Sequence, residues 1–235
     1  MKYNTRTYLE YTIHHFISWN DAQPMVDMIL NQQYDIKKTL KDSTRSMVYQ
    51  INIDHDLLIF KLPVEKNNRK WIRFTTLMRK SEALQSCLSM LKLQKIGIQT
   101  NKPIIVLEKK KMGMVIDSWY LCSYVDGHPC MESDIPAVID TLHVIHKAGY
   151  VHGDAQIRNF LKTEAGIQVI DTKLSNAWNF IQKNLEFVYF NNSIRGIGGY
   201  IDQSTIGYKI AQFIMNDIQS GFRTFKQKIR QSFSS

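Results

Sequence analysis

The chain has 235 residues, 44% hydrophobic and 11% aromatic, enough for a sizeable core in one domain or for two lobes sharing a cleft. Its 30 Lys and Arg against 21 Asp and Glu leave a formal charge of +9, which favours polyanions: nucleic acid, acidic lipid headgroups or phosphorylated substrates. No run approaches the roughly 18 apolar residues of a spanning helix, so an integral helical membrane protein is excluded and any membrane contact is expected to be peripheral.

Residues 1–33 mix Tyr, His and amide side chains and read as an irregular or helical prelude. The opening MKYNTRTYLEYTIHHF lacks the apolar core of a signal peptide, and the three cysteines show no CxxC or zinc-ligand spacing. Both features lead to the expectation of a reducing, cytoplasmic setting. From Tyr34 the pattern is more regular: YDIKKTL is a strand, KDSTRS a polar loop, MVYQINI a strand, and LLIFKL a third strand after the turn DHD. Pro63 ends that strand, because proline has no N–H for the ladder. Leu77, Leu84, Leu88 and Leu91 recur at helical spacing and predict a helix over 76–95.

Two or three strands follow in KPIIVLEKKKMGMVIDSWYLCSYV, around a basic turn, and DGHPCMES is a loop. Ser133 or Asp134 then caps a helix with Pro136 in its first turn. Ile135, Val138, Ile139 and Leu142 form its apolar face, and Gly149 terminates it. NFLK, TEAG and IQVID read as strand, turn and strand, a hairpin ending at Asp171, and 172–235 is mostly helical. Strands plus one helix, a connection, then a helical half with one hairpin is a two-lobe α+β layout.

The stretch GYVHGDAQIRNFL places Asp154 and Asn159 five residues apart, between that helix and that hairpin. Phosphoryl transfer from ATP needs a carboxylate to orient the attacking hydroxyl, oxygen ligands for magnesium, and a cation on the phosphates. Asp154 can accept the hydroxyl's hydrogen bond, and Asn159 with Asp171 can share Mg2+ as hard oxygen ligands. Lys61 is the cation within LLIFKL and can reach the phosphates. The bland alternative is a solvated loop whose Asp and Asn merely form turns. The set resembles the catalytic core of the protein-kinase-like superfamily, whose catalytic Asp and Asn stand five apart.

Several positions depart from that pattern or keep two readings. The Asp171 motif is DTK and not DFG, which weakens a regulated protein kinase more than a small-molecule one. KDSTRS lies where a Gly-rich loop belongs but has no glycine; Ser43, Thr44 and Ser46 can meet phosphate, or the segment is a plain hairpin turn. Glu82 is the candidate partner of Lys61, although helical spacing sets it opposite the leucine face. His152 is expected to orient the loop, and Arg158 either touches an anionic acceptor or is solvated. His143 and His146 lack a third metal ligand and read as core or surface histidines. RKWIRF (69–74) could be a nucleic-acid patch but fits a strand-to-helix connection with snorkelling side chains. Ser123, Tyr124 and Val125 offer backbone groups to the adenine edge.

Beyond the superfamily, LHVIHKAGYVHGDAQIRNFLKTEAGIQVIDTKLS (142–175) resembles the lipopolysaccharide core heptose kinase family of Gram-negative bacteria. A looser likeness runs through MVYQINIDHDLLIFKLP and GMVIDSWYLCSYVDG; where relatives often carry Pro-His after the catalytic Asp, this chain has Ala155 and Gln156. The resemblance implies a two-lobed protein-kinase-like fold, with a small antiparallel-sheet N-lobe holding one main helix and a mostly helical C-lobe. The expected divisions are a prelude 1–33, N-lobe 34–122, hinge 123–127 and C-lobe 128–235. It also implies ATP- and Mg2+-dependent phosphorylation of an inner-core heptose of lipopolysaccharide at the cytoplasmic face of the inner membrane. No obligate protein partner is inferred. The basic stretch GFRTFKQKIRQSF (221–233) can lie on an anionic membrane or pack onto the C-lobe. The rivals are a kinase for a protein or antibiotic sugar, and a non-catalytic nucleic-acid- or membrane-binding protein on the same scaffold.

Overall fold

The computed structural model describes residues 3–68, 70–194 and 199–218. The chain divides into two compact units, Met1–Asp126 and Gly127–Ser235.

The strands of the first unit are β1 (Asn4–Tyr8), β2 (Tyr11–His15), β3 (Asp35–Asp42), β4 (Met47–Ile53), β5 (Asp56–Leu62), β6 (Gln99–Thr100), β7 (Pro103–Lys111) and β8 (Met114–Ser123). All but the two-residue β6 form one antiparallel sheet in the order β1-β2-β7-β8-β5-β4-β3. Between β4 and β5, Asp54 and His55 both have positive φ (46° and 74°), the twist that suits a two-residue hairpin turn. The helices are α1 (Trp19–Leu30), α2 (Val64–Asn68), α3 (Lys70–Thr75) and α4 (Glu82–Lys95).

Strand alternation divides the core in two. Leu58, Phe60, Ile105, Leu107, Trp119 and Leu121 pack with Ala22, Val26 and Ile29 of α1. Val106, Tyr120 and Cys122, one residue out of phase, pack with Ala83, Leu84, Cys87 and Met90 of α4. The sheet is therefore covered on both faces. The expectation of a small sheet with one main helix is corrected to seven strands and two long helices.

Residues 4–30, expected to be irregular or helical, are helical only from Trp19. They form a hairpin that joins the sheet through β2–β7 pairing, followed by α1, whose Ser18 cap accepts the Asp21 N–H at 3.3 Å. Polar side chains hide this strand, because His14 and His15 are buried through bonds rather than through apolarity. His14 meets Thr5 Oγ1 at 2.9 Å and Glu108 at 3.3 Å, and His15 meets the Ile17 carbonyl at 2.8 Å. The helix expected over 76–95 starts only at Glu82, where the Ser81 hydroxyl accepts the Leu84 N–H at 3.2 Å. Leu77 lies outside it and is exposed, and RKWIRF is largely the short helix α3 rather than a bare connection.

The second unit contains β9 (His128–Pro129), α5 (Ile135–Lys147), β10 (Tyr150–Val151), β11 (Phe160–Thr163), β12 (Gly166–Val169), β13 (Ser175–Asn176), α6 (Phe180–Ser193) and α7 (Ile206–Phe213). α5 buries the expected face of Ile135, Val138, Ile139 and Leu142, adding Ile145 and His146. Asp134 precedes it, its carboxylate accepting the Met131 N–H at 2.9 Å, and Pro136 occupies the first turn. Val188, Tyr208 and Ala211 join α6 to α7. The basic stretch 221–233 lies outside the described residues.

Candidate functional site

α5 ends at Gly149, whose φ of +83° and N–H to the His146 carbonyl (3.1 Å) turn the chain sharply. β10 then pairs antiparallel with β13, and β11 with β12, so residues 152–159 and 170–173 must run side by side. The register makes this specific: Phe160 faces Val169, and the Ile170 N–H donates to the Asn159 carbonyl at 2.9 Å. Asp171 thus emerges beside Asn159. It does so at φ +53°, a left-handed conformation that Asp tolerates better than most residues.

Gly153 is required where it stands. Its φ is +83°, and a Cβ there would lie 2.6 Å from the Lys173 carbonyl. Alongside it, the His152 carbonyl accepts from Thr172 Oγ1 at 2.9 Å and from the Lys173 N–H at 3.1 Å.

Glu186, in the middle of α6, closes the loop from the other side. Its carboxylate accepts the backbone N–H of His152 at 2.9 Å and of Gly153 at 2.7 Å, and meets His146 Nε2 at 2.8 Å. Burial alone would raise its pKa, but the His146 bond and the two N–H donors outweigh burial and hold it below 4.5. Sequence reading missed this residue. The available signal was a lone carboxylate in the aromatic run LEFVYF, since a buried carboxylate needs partners.

The Asp154 carboxylate is aimed by three side chains. Gln156 Nε2 donates to Oδ1 at 2.8 Å, Tyr189 Oη donates to Oδ1 at 3.0 Å, and Asn159 Nδ2 donates to Oδ2 at 3.2 Å. Gln156 also donates to Tyr189 Oη, so the phenol accepts one bond and gives another. Asn159 Nδ2 reaches the Asp154 carbonyl too, at 2.8 Å. Tyr189 was not foreseen, and Gln156, doubtful as a substrate contact, is a support for Asp154.

His152 is fully buried against Phe160, ring centroids 5.2 Å apart. Burial holds its pKa below 6.5 against the pull of Glu186, Asp154 and Asp171, so the ring is neutral near pH 7. Its Nδ1 accepts the Asp154 N–H at 3.3 Å, which places the ring proton on Nε2. That bond ties the ring to the loop. Arg158 is exposed on the short 3₁₀ turn Ile157–Asn159 and acts electrostatically on Tyr189.

Asn159 and Asp171 are the residues here that could hold a hard cation. Both Nδ2 bonds of Asn159 run to Asp154, so its Oδ1 is the atom that could serve as a neutral oxygen ligand. Among the described residues no three of His, Cys, Asp and Glu gather as a metal site. His146 is committed to Glu186 and to the Phe187 ring at 4.9 Å, which settles it as a core histidine.

The other sequence candidates belong to the first unit. Lys61 shares strand parity with Ile59, on the α4 face, and its charge acts on the buried Cys87 of that helix. Glu82 is the first residue of α4. Ser43 donates to the Ser46 carbonyl at 3.0 Å and accepts the Ser46 N–H at 3.2 Å, while Thr44 is exposed. Ser123 is occupied: its N–H goes to Lys102 O at 2.9 Å, its carbonyl accepts Asn101 Nδ2 at 2.8 Å, and its hydroxyl accepts the Lys102 N–H. The Tyr124 N–H goes to Leu57 O at 3.2 Å.

A family model described as "Lipopolysaccharide core biosynthesis protein (WaaY)" matches residues 3–214. No curated protein matches the chain. The chain is similar to the solved structure "WaaP in complex with acyl carrier protein", with 13% identity, a TM-score of 0.52, and coverage of 87% of this chain and 92% of that one. That likeness shows an α+β, kinase-like fold. It is also similar, at 15% identity and a TM-score of 0.39, to a point mutant of the PknI kinase domain of Mycobacterium tuberculosis, covering 61% and 60% of the two chains.

Proposed function

The chain belongs to the WaaY family of lipopolysaccharide core biosynthesis proteins, and from that premise we propose that it transfers the γ-phosphoryl group of ATP to a hydroxyl of an inner-core heptose. The observation that carries this reading is the Asp154, Asn159 and Asp171 arrangement on one loop and its neighbouring strand end. In the proposal, Asp154 accepts the hydrogen bond of the acceptor hydroxyl and aims its oxygen. Tyr189 and Gln156 hold the carboxylate in that orientation. Asn159 Oδ1 and Asp171 would hold magnesium. When bound, Mg2+-ATP supplies the transferable group and neutralises charge developing on its oxygens. Lys61 would contact the phosphates, with Glu82 orienting it, and Ser43, Thr44 and Ser46 would add hydroxyl or backbone donors. With Ser123 occupied internally, the adenine edge falls chiefly to the Tyr124 carbonyl and the Val125 backbone. Arg158, exposed near Tyr189, would meet an anionic acceptor.

Core oligosaccharide from cells with and without the gene, compared by mass spectrometry, tests the acceptor. A phosphate missing from heptose is the expected result; an unchanged core overturns it. Purified protein should also phosphorylate a soluble core fragment, and Asp171→Ala should abolish that transfer. Near wild-type turnover in Asp171→Ala at saturating ATP and magnesium removes the kinase reading. Transfer to a different acceptor would keep the chemistry and move the substrate.

A further inference from the structure

The first unit carries an exposed apolar surface that its core does not use. Trp71 and Phe74 of α3 stack on each other with ring centroids 6.0 Å apart, and both are exposed. Leu77 follows on the next turn, its N–H bonded to the Phe74 carbonyl at 3.2 Å. Its side chain lies 3.1 Å from where a Cβ of Gly113 would be, against the turn joining β7 to β8. The Val115 N–H donates to Thr76 Oγ1 at 2.8 Å and pins the same contact. Met78 is 96% exposed and Met112, at the hairpin tip, 86% exposed. Leu77 and Thr76 bring α3 against that turn, and soluble surfaces seldom leave so many large apolar side chains exposed near one another without a use.

Charge selects the partner. Residues 66–81 hold six Lys or Arg and no carboxylate, and Lys109, Lys110 and Lys111 lead into Met112. Lys109 is paired with Glu10 at 2.6 Å and Lys110 with Glu108 at 3.2 Å, while Lys111 is exposed beyond them. A second copy of this chain would set cation against cation. An anionic bilayer accepts both parts of the surface: aromatic and thioether side chains enter the headgroup boundary, and lysine and arginine stems reach the phosphates.

We infer that α3 and the β7–β8 turn form a docking surface for an anionic lipid membrane, with Trp71, Phe74, Met78 and Met112 entering the headgroup layer. The inference rests on the proposed function in one respect, since a glycolipid acceptor explains why the enzyme would dock.

The test uses the full chain with vesicles of phosphatidylglycerol and phosphatidylcholine against vesicles of phosphatidylcholine alone, without ATP or acceptor. Sedimentation should show binding to the anionic vesicles only, weakening as salt rises. Lys70→Gln and Lys111→Gln should each weaken it about fivefold. Phe74→Ser with Met78→Ser should remove it while phosphorylation of a soluble core fragment stays unchanged. A vesicle-induced blue shift of fluorescence should vanish in Trp71→Phe and persist in Trp178→Phe, whose indole is exposed in the second unit. Binding undiminished in the double variant, or a shift that follows Trp178, overturns the inference. So does a wild-type dimer that the double variant dissociates in analytical ultracentrifugation, which would make the patch a contact between copies. Absent transfer by the wild type with vesicle binding retained would instead remove the proposed function alone.

Discussion

The turn between β3 and β4 is braced by its own Ser43 hydroxyl and by one residue of α2, whereas the loop between β10 and β11 is held by several residues far along the chain. Ser43 satisfies the N–H and carbonyl of Ser46 three positions away, and the Arg45 carbonyl accepts the Glu65 N–H of α2 at 3.0 Å. In the loop, Glu186 takes the N–H groups of His152 and Gly153, Thr172 bonds the His152 carbonyl, and Tyr189 bonds Asp154. Both stretches are short and polar. A turn with few braces can move as a unit, while a loop satisfied from α6 and from the segment after β12 has one conformation and a carboxylate with one aim.

Breaking the loop at its centre should have the largest effect. Asp154→Asn keeps the shape and loses the charged acceptor, so ATP should still bind while transfer falls about 10²- to 10⁴-fold. Asn159→Ala should fail differently, with activity partly restored by raised magnesium, which cannot rescue Asp154→Asn. Titrations of turnover against magnesium, with ATP binding measured separately, check this; identical responses would refute the assigned roles.

Gly153→Ala should come next, because the new methyl meets the Lys173 carbonyl and the backbone is left-handed. A loss of roughly 2–3 kcal/mol is expected from urea unfolding. Gly149→Ala has the same φ but nothing within 4 Å, so about 1 kcal/mol is expected there. Equal losses would mean that strain alone, and not the close approach to residue 173, makes Gly153 necessary.

Glu186→Gln should cost roughly 2 kcal/mol at neutral pH by removing a charged acceptor from three donors. The pH dependence carries a sign. The folded Glu186 has a depressed pKa, so its contribution is present above its ordinary value of 4.5 and is lost as pH falls through the folded value. Wild type should therefore lose stability below about pH 4.5 more steeply than Glu186→Gln. Parallel curves would contradict the placement of the carboxylate.

The smallest effect belongs to the turn. Ser43→Ala removes one local hydroxyl and should cost about 0.5–1 kcal/mol. If the turn is only a turn, KM for ATP stays unchanged; a several-fold rise would give Ser43 a phosphate-binding role and narrow the contrast with the loop.

The sequence alone determined the local parts: the strands around MVYQINI and LLIFKL, the helix after Asp134, the hairpin from Phe160 to Val169, and the spacing of Asp154 and Asn159. Each follows from apolar periodicity, proline and glycine placement, or short-range spacing, which neighbouring residues decide among themselves. It did not reveal β1 and β2, because β2 buries His14, whose partner Glu108 lies on β7 far along the chain. Nor did it reveal Glu186 and Tyr189, which reach the loop only once α6 packs beside it. The same physics underlies both omissions. A buried polar group is stable only with its partner, and partners more than thirty residues away, as at His152–Glu186 and Asp154–Tyr189, are chosen by tertiary packing and leave no period in the sequence.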